Sequence, residues 1–300
     1  MVYLESFNFP SQSEESGYFR GPSPTYLESI YPFQVMPSKG LEFLSFSDVT
    51  ILCGGNGSGK STVLNIIAAR LELKRESMFN TTEIFDDYVE MASEDLRVFD
   101  MEQDRNFRRA SRIITSDDVF NHILGVRKKN DDVDFKRQVI QRTRQEYRNN
   151  PSSRPREINF DDPESVRRYR EYASMINRHS SFSDQVRRHG AISERTYSNG
   201  ENGYKYFTDA IQPGGLYLLD EPENSLSAQM QMELCDFITG MARFYDCQFI
   251  ISTHSPFILS MKGARIYDMD SVPVKTTKWT EIPSVRIYHD FFMEHEEEFK

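Results

Sequence analysis

The chain has 300 residues, 38 % of them hydrophobic, with 36 basic and 46 acidic side chains and a net charge of −10. No apolar run approaches the ~20 residues of a membrane span, and Met1–Glu5 lacks the charged start and apolar core of a secretory signal. Cys53, Cys235 and Cys247 are scattered in apolar contexts, which reads as reduced core thiols and excludes a disulfide framework or zinc cluster. The expectation is a cytoplasmic chain holding one large α/β domain with an inserted subdomain.

Residues 1–48 mix proline- and glycine-rich loops with aromatics. Of these, Tyr31 or Phe33 could stack on a base, and either could equally be core. The apolar run Val49-Thr50-Ile51-Leu52 then reads as a strand and leads into Cys53-Gly54-Gly55-Asn56-Gly57-Ser58-Gly59-Lys60-Ser61-Thr62. Gly54, four residues, then Gly59-Lys60-Ser61 is the spacing of a P-loop. Gly54, Gly55, Gly57 and Gly59 permit positive φ and close approach of backbone amides to an anion. A helix expected over Val63–Leu73 aims its positive end at the phosphates. Asn56, Ser58 and Thr62 complete the binding loop. Lys60 is expected on the β/γ oxygens and Ser61 on Mg²⁺, so the predicted ligand is a nucleoside triphosphate with Mg²⁺.

Charge marks the middle of the chain. Arg105 through Arg195 carries 21 basic and 13 acidic residues, a net of +8, which leaves −18 for the remainder. Phe135–Arg148 and Val166–Arg178 read as polar, arginine-rich helices joined by a loop at Asn149–Pro155. We therefore expect three segments: a P-loop core over 1–103, an inserted helical lobe over 104–197, and the remainder of the core over 198–300. The lobe is either a phosphate-backbone surface for DNA or RNA or a solvated or partner-docking face. The acids Asp131, Asp132, Asp161 and Asp162 weaken the first option.

Gly215-Leu216-Tyr217-Leu218-Leu219-Asp220-Glu221-Pro222 reads as a buried parallel strand ending in two acids. Asp220 is expected in the Mg²⁺ shell, and Glu221 is expected to orient and deprotonate a water. A helix marked by Met230, Leu234, Phe237, Ile238 and Met241 should pack on the sheet. Phe249-Ile250-Ile251-Ser252-Thr253 is a third core strand that delivers His254 to its C-terminal end, where an imidazole can meet the γ-phosphate or the water. Arg265-Ile266-Tyr267 reads as another strand, and Val285–Phe292 as a helix packed on the core.

The P-loop, Leu-Leu-Asp-Glu-Pro and Ser-Thr-His-Ser-Pro together resemble the ATP-binding-cassette (ABC) ATPases. The match is closer to the SMC/RecF-like branch and to small ABC-type ATPases of bacterial anti-phage systems such as Septu or those associated with retrons. The resemblance implies a mostly parallel central sheet flanked by helices with an inserted helical lobe, ATP and Mg²⁺ as ligands, and a homodimer with composite sites. It also implies a signature loop that contacts the partner's γ-phosphate. Ser198-Asn199-Gly200-Glu201 is the candidate, with Asn199 in place of a glycine and Tyr197 in place of leucine. Ser227 stands where the family often has an aspartate. The family's Mg²⁺-linking glutamine is either Gln103, or it is unassigned because Arg112–Thr115 is the relevant strand and Ser116 opens the helical region; the strand pattern favours the second. The activity implied is an ATP-driven switch on a separate, nuclease-like effector in bacterial defence. The alternatives are a DNA-binding repair clamp and, behind it, a transporter subunit.

Overall fold

In the computed structural model the described residues are 1–21, 27–97, 101–150, 162–176 and 199–300. Their contacts form two units, Met1–Phe120 with Asn199–Lys300, and Asn121–Ser198.

The first unit opens with β1 (Leu4–Asn8), α1 (Gln12–Arg20), α2 (Val35–Ser38), β2 (Phe43–Ser45), β3 (Val49–Cys53), α3 (Lys60–Arg70), α4 (Phe85–Met91), β4 (Ser93–Leu96), α5 (Met101–Ala110) and β5 (Arg112–Thr115). The helix α6 (Ser116–Asn149) follows, and α7 (Pro163–Ile176) lies within the second unit. The first unit then continues with α8 (Asn199–Ala210), β6 (Leu216–Asp220), α9 (Ala228–Phe244), β7 (Gln248–Thr253), α10 (Pro256–Leu259), β8 (Arg265–Asp268), β9 (Lys275–Thr276) and α11 (Pro283–Glu294).

Two sheets organise this unit. The larger has the order β5-β6-β7-β3-β8-β9 and is parallel except for β9. Its central strands are apolar runs because helices cover both faces: Ile51 to Cys53, Leu216 to Leu219 and Phe249 to Ile251 are all buried. The helix α3 is enclosed as well, with every residue from Val63 to Ala68 buried, which is why its apolar character runs all round rather than along one stripe. The smaller sheet, β2-β1-β4, is antiparallel and was not anticipated.

One buried side chain joins the sheets. Gln248, fully buried at the start of β7, accepts the Tyr3 and Leu4 amides on Oε1 at 2.9 and 2.8 Å. Its Nε2 donates to the Leu4 and Ser47 carbonyls at 2.9 and 3.2 Å. All of its hydrogen-bonding capacity is thereby spent on backbone, as burial of an amide requires.

Several expectations change. The expected helix Phe135–Arg148 is the C-terminal part of a single 34-residue helix, α6. The helix expected at Val166–Arg178 is described as Pro163–Ile176, and residues 151–161 and 177–198 lie outside the described residues. Arg112–Thr115 is a strand of the large sheet, paired with β6, and α6 starts directly after it. The helix α11 does not pack broadly on the core. Val285 is buried, whereas Ile287, Tyr288, Phe291 and Phe292 are more than half exposed, because helical spacing defines an apolar stripe without supplying anything to cover it. Phe33 is core at 2 % exposure. Tyr31 is partly buried and donates its hydroxyl to Thr62 Oγ1 at 3.3 Å.

Candidate nucleotide site

Three strands that are neighbours in the sheet, β6, β7 and β3, end in the three motifs, so Gly54, Asp220–Glu221 and His254 emerge together at one sheet edge. That C-terminal edge is where open α/β sheets bind ligands.

The P-loop conformation depends on its glycines. Gly54, Gly57 and Gly59 have φ of 153°, 77° and 94°, backbone that disfavours any side chain. A Cβ on Gly54 would also lie 2.8 Å from Ser58 Oγ. Gly55 is not among the positive-φ glycines, so the freedom that a glycine permits there is not used for a left-handed backbone. Gly55 and Asn56 are exposed, and Ser58 is buried. Gly59 caps α3, whose first residue is Lys60.

Lys60 is 3 % exposed. Its Nζ donates to the Gly54 and Gly55 carbonyls at 2.8 and 3.0 Å and lies 3.8 Å from Glu221 Oε1. Ser61 Oγ donates to Asp220 Oδ1 at 3.0 Å, and Ser252 Oγ donates to the same oxygen. Burial raises the Asp220 carboxyl above the ordinary aspartate value, opposed by the hydrogen bonds from Ser252 and Ser61. A serine hydroxyl and a carboxylate in contact beside a lysine and a glycine-rich loop are hard oxygen donors that fit Mg²⁺ shared with phosphates. Among the described residues no group of three or more His, Cys, Asp or Glu is placed to hold a metal ion.

Glu221 occupies a left-handed backbone conformation, φ 48°, which turns the chain sharply off β6. Its amide donates to the Ser252 carbonyl at 3.0 Å, and Asn224 Nδ2 donates to its Oε2 at 3.0 Å. His254 Nε2 lies 3.5 Å from Glu221 Oε1.

Two residues of the site escaped sequence reading. Asp270, in the loop after β8, accepts the Gly55 amide on Oδ2 at 2.8 Å; its sequence neighbourhood carries no motif. Glu223, buried in the 3-10 turn Pro222–Ser225, accepts from Thr253 Oγ1 and the His254 amide. Its proximity to Glu221 in sequence was the available signal.

The signature candidate divides. Ser198 lies outside the described residues. Asn199, Gly200 and Glu201 form the first turn of α8 rather than a loop. This helix packs on the segment after Glu221: a Cβ on Gly200 would be 3.5 Å from Ser227 N, and one on Gly203 would be 3.1 Å from Leu226 Cδ2 and 3.1 Å from Ser225 O. Ser227 itself caps α9 by accepting the Met230 amide at 3.3 Å.

A family model described as "AAA domain, putative AbiEii toxin, Type IV TA system" matches residues 71–260, more than half of the chain. The chain belongs to this family. Its fold is of the P-loop, ABC-ATPase-like class, with a mostly parallel sheet flanked by helices. No curated protein matches. Among solved structures, the chain is similar to an Smc head domain with an extended coiled coil, bound to the C-terminal domain of ScpA, from Pyrococcus furiosus. That match has 14 % identity, 97 % and 100 % coverage of the two chains and a TM-score of 0.41. It is also similar to a dimeric ATP-binding cassette in a post-hydrolysis state bound to ADP and Pi, with 16 % identity, 80 % and 90 % coverage and a TM-score of 0.35. Among the described residues no helix is long and apolar enough to cross a membrane.

Proposed function

We propose that this P-loop ATPase binds ATP with Mg²⁺ at Gly54–Thr62, hydrolyses it, and closes as a homodimer around two nucleotides to switch a separate effector protein in bacterial defence. The observation that carries the catalytic part is the meeting of Glu221 Oε1 with Lys60 Nζ at 3.8 Å and His254 Nε2 at 3.5 Å. A carboxylate, a cation and an imidazole face one another at the mouth of a phosphate cradle.

In this reading the loop amides and Lys60 bind the phosphates, and the cation offsets charge that develops on the transferred group. Ser61 and Asp220 would hold Mg²⁺, which when bound supplies further neutralisation of the phosphate oxygens. Glu221, steadied by Asn224, orients a water and takes its proton. His254 presents Nε2 to the same water or to the terminal phosphate. The partner subunit would contribute its signature segment, Ser198 and Gly200, across the dimer. A family description that names a toxin–antitoxin system supports a two-component arrangement. No constellation for a second chemistry stands out in the sequence.

A second reading, a nucleic-acid clamp, rests on the net +8 of Arg105–Arg195. Affinity purification of Glu221→Gln from native cells with Mg-ATP separates the two. A stoichiometric protein partner without nucleic acid supports the switch, and salt-sensitive nucleic acid alone supports the clamp. Glu221→Gln that still hydrolyses ATP at the parental rate would defeat the catalytic reading.

A further inference from the structure

A third carboxylate adjoins the site histidine. Glu223 is 9 % exposed, and its Oε1 lies 3.9 Å from His254 Nε2. Its Oε1 accepts the Thr253 hydroxyl at 2.7 Å and the His254 amide at 2.8 Å. Its Oε2 is buried without a hydrogen-bond partner among the described residues. Burying an acid with one oxygen unpaired is costly, and an apolar residue would fill the turn at less expense.

The bonds it does make surround the histidine. Thr253 Oγ1 also accepts the Ser255 amide at 2.9 Å, and Ser255 Oγ donates to Gln231 Oε1 at 2.6 Å. The peptides on both sides of the His254 Cα are thus tied, through Glu223, to the turn that immediately follows Glu221. His254 Nε2 stands 3.5 Å from Glu221 Oε1 and 3.9 Å from Glu223 Oε1. We propose that Glu223 is a positioning residue: by gripping Thr253 and the His254 amide it sets the imidazole against the Glu221 carboxylate. This rests on the catalytic reading above and assigns Glu223 no contact with the nucleotide. Because charge-assisted hydrogen bonds are short and directional, the acid holds the backbone more firmly than a neutral turn would.

The design makes a specific prediction about which atoms matter. Both bonds use one oxygen, so a glutamine keeps the acceptor while an alanine removes it. In the full-length chain, Glu223→Ala is expected to lower kcat roughly 10- to 100-fold with ATP affinity within a few-fold, the size of effect that follows a misplaced catalytic group. Glu223→Gln should recover most of that loss. Thr253→Val, which removes the hydroxyl that donates to Glu223 and accepts the Ser255 amide while nearly keeping the shape, should fall between them. The decisive comparison is the double variant: if Glu223 acts through the histidine, Glu223→Ala adds little to His254→Ala.

Parental kcat in Glu223→Ala, a glutamine variant as slow as the alanine one, or independent losses that multiply in the double variant would each overturn the proposal. Should Glu223→Ala fail to fold, Thr253→Val, alone and combined with His254→Ala, carries the same test. Failure of the underlying reading looks different. Parental turnover in Glu221→Gln removes the catalytic role of Glu221 on which the proposal rests, and parental turnover in His254→Ala removes the histidine's role whatever Glu223 does.

Discussion

Ser61 and Asp220 stand 159 positions apart in sequence, yet Ser61 Oγ donates to Asp220 Oδ1 at 3.0 Å. The contact joins the first turn of α3 to the end of β6 and brings the two oxygens proposed for Mg²⁺ together. Asp220 keeps a second hydroxyl partner, Ser252, so removing Ser61 does not strand the carboxylate. Ser61→Ala is expected to weaken ATP binding roughly 10-fold, about 1.4 kcal/mol, in Mg²⁺ and to leave binding in EDTA unchanged. Nucleotide titrations with and without the ion measure this; an equal loss in both would argue against a metal role for Ser61.

Gln248 gives a stability prediction. Gln248→Leu keeps the volume but deprives the Tyr3 and Leu4 amides and the Leu4 and Ser47 carbonyls of their partner. Buried groups left unpaired cost about 1–3 kcal/mol each and do not add fully. A loss of about 3 kcal/mol or more is expected in equilibrium denaturation. A change below about 1 kcal/mol would mean that the β1 segment does not depend on this amide.

Glu15 gives a pH prediction. Its carboxylate is buried in α1 and accepts the Gln34 amide on Oε2 at 2.7 Å, with the buried Tyr88 hydroxyl beside it. Burial raises its carboxyl above the ordinary value of 4.5. The folded state therefore holds this proton more tightly than the unfolded chain does. Its contribution favours folding while the group is protonated and is lost as pH rises through the raised value. Glu15→Gln keeps an acceptor for Gln34 and removes that slope. It should be more stable than the parent at pH 7, by roughly 1 kcal/mol, with the advantage shrinking toward pH 4. Denaturation at the two pH values tests it, and a constant difference would refute it.

What the chain discloses before folding follows from range. The P-loop and the two strands that end in Asp220–Glu221 and His254 are each contained in about ten consecutive residues, and their apolar runs mark central strands because both faces are covered. The β1–β2–β4 sheet was hidden because its strands have only five, three and four residues, and because β1 pairs with partners about 40 and 90 residues away. Asp270 reaches Gly55 across 215 positions through a loop whose course no local pattern specifies. Glu223 lay next to a recognised motif, but its role depends on which strand neighbours β6, and that is a property of sheet order. In α11 the periodicity correctly marked a helix and an apolar stripe, while Phe291 and Phe292 remain more than half exposed.

The packing of α8 on the segment after Glu221 has a consequence for how such a chain can change over generations. Gly203 admits a side chain only if both Leu226 and the Ser225 carbonyl shift by a few tenths of an ångström. A larger residue at 203 therefore needs both a smaller side chain at 226 and a shift of the backbone at 225, and a bulkier one at 226 would need an opposite change that the glycine cannot supply. The two segments are bound to drift as a pair, so a record of variation in related chains would couple position 203 to position 226 across the intervening strand.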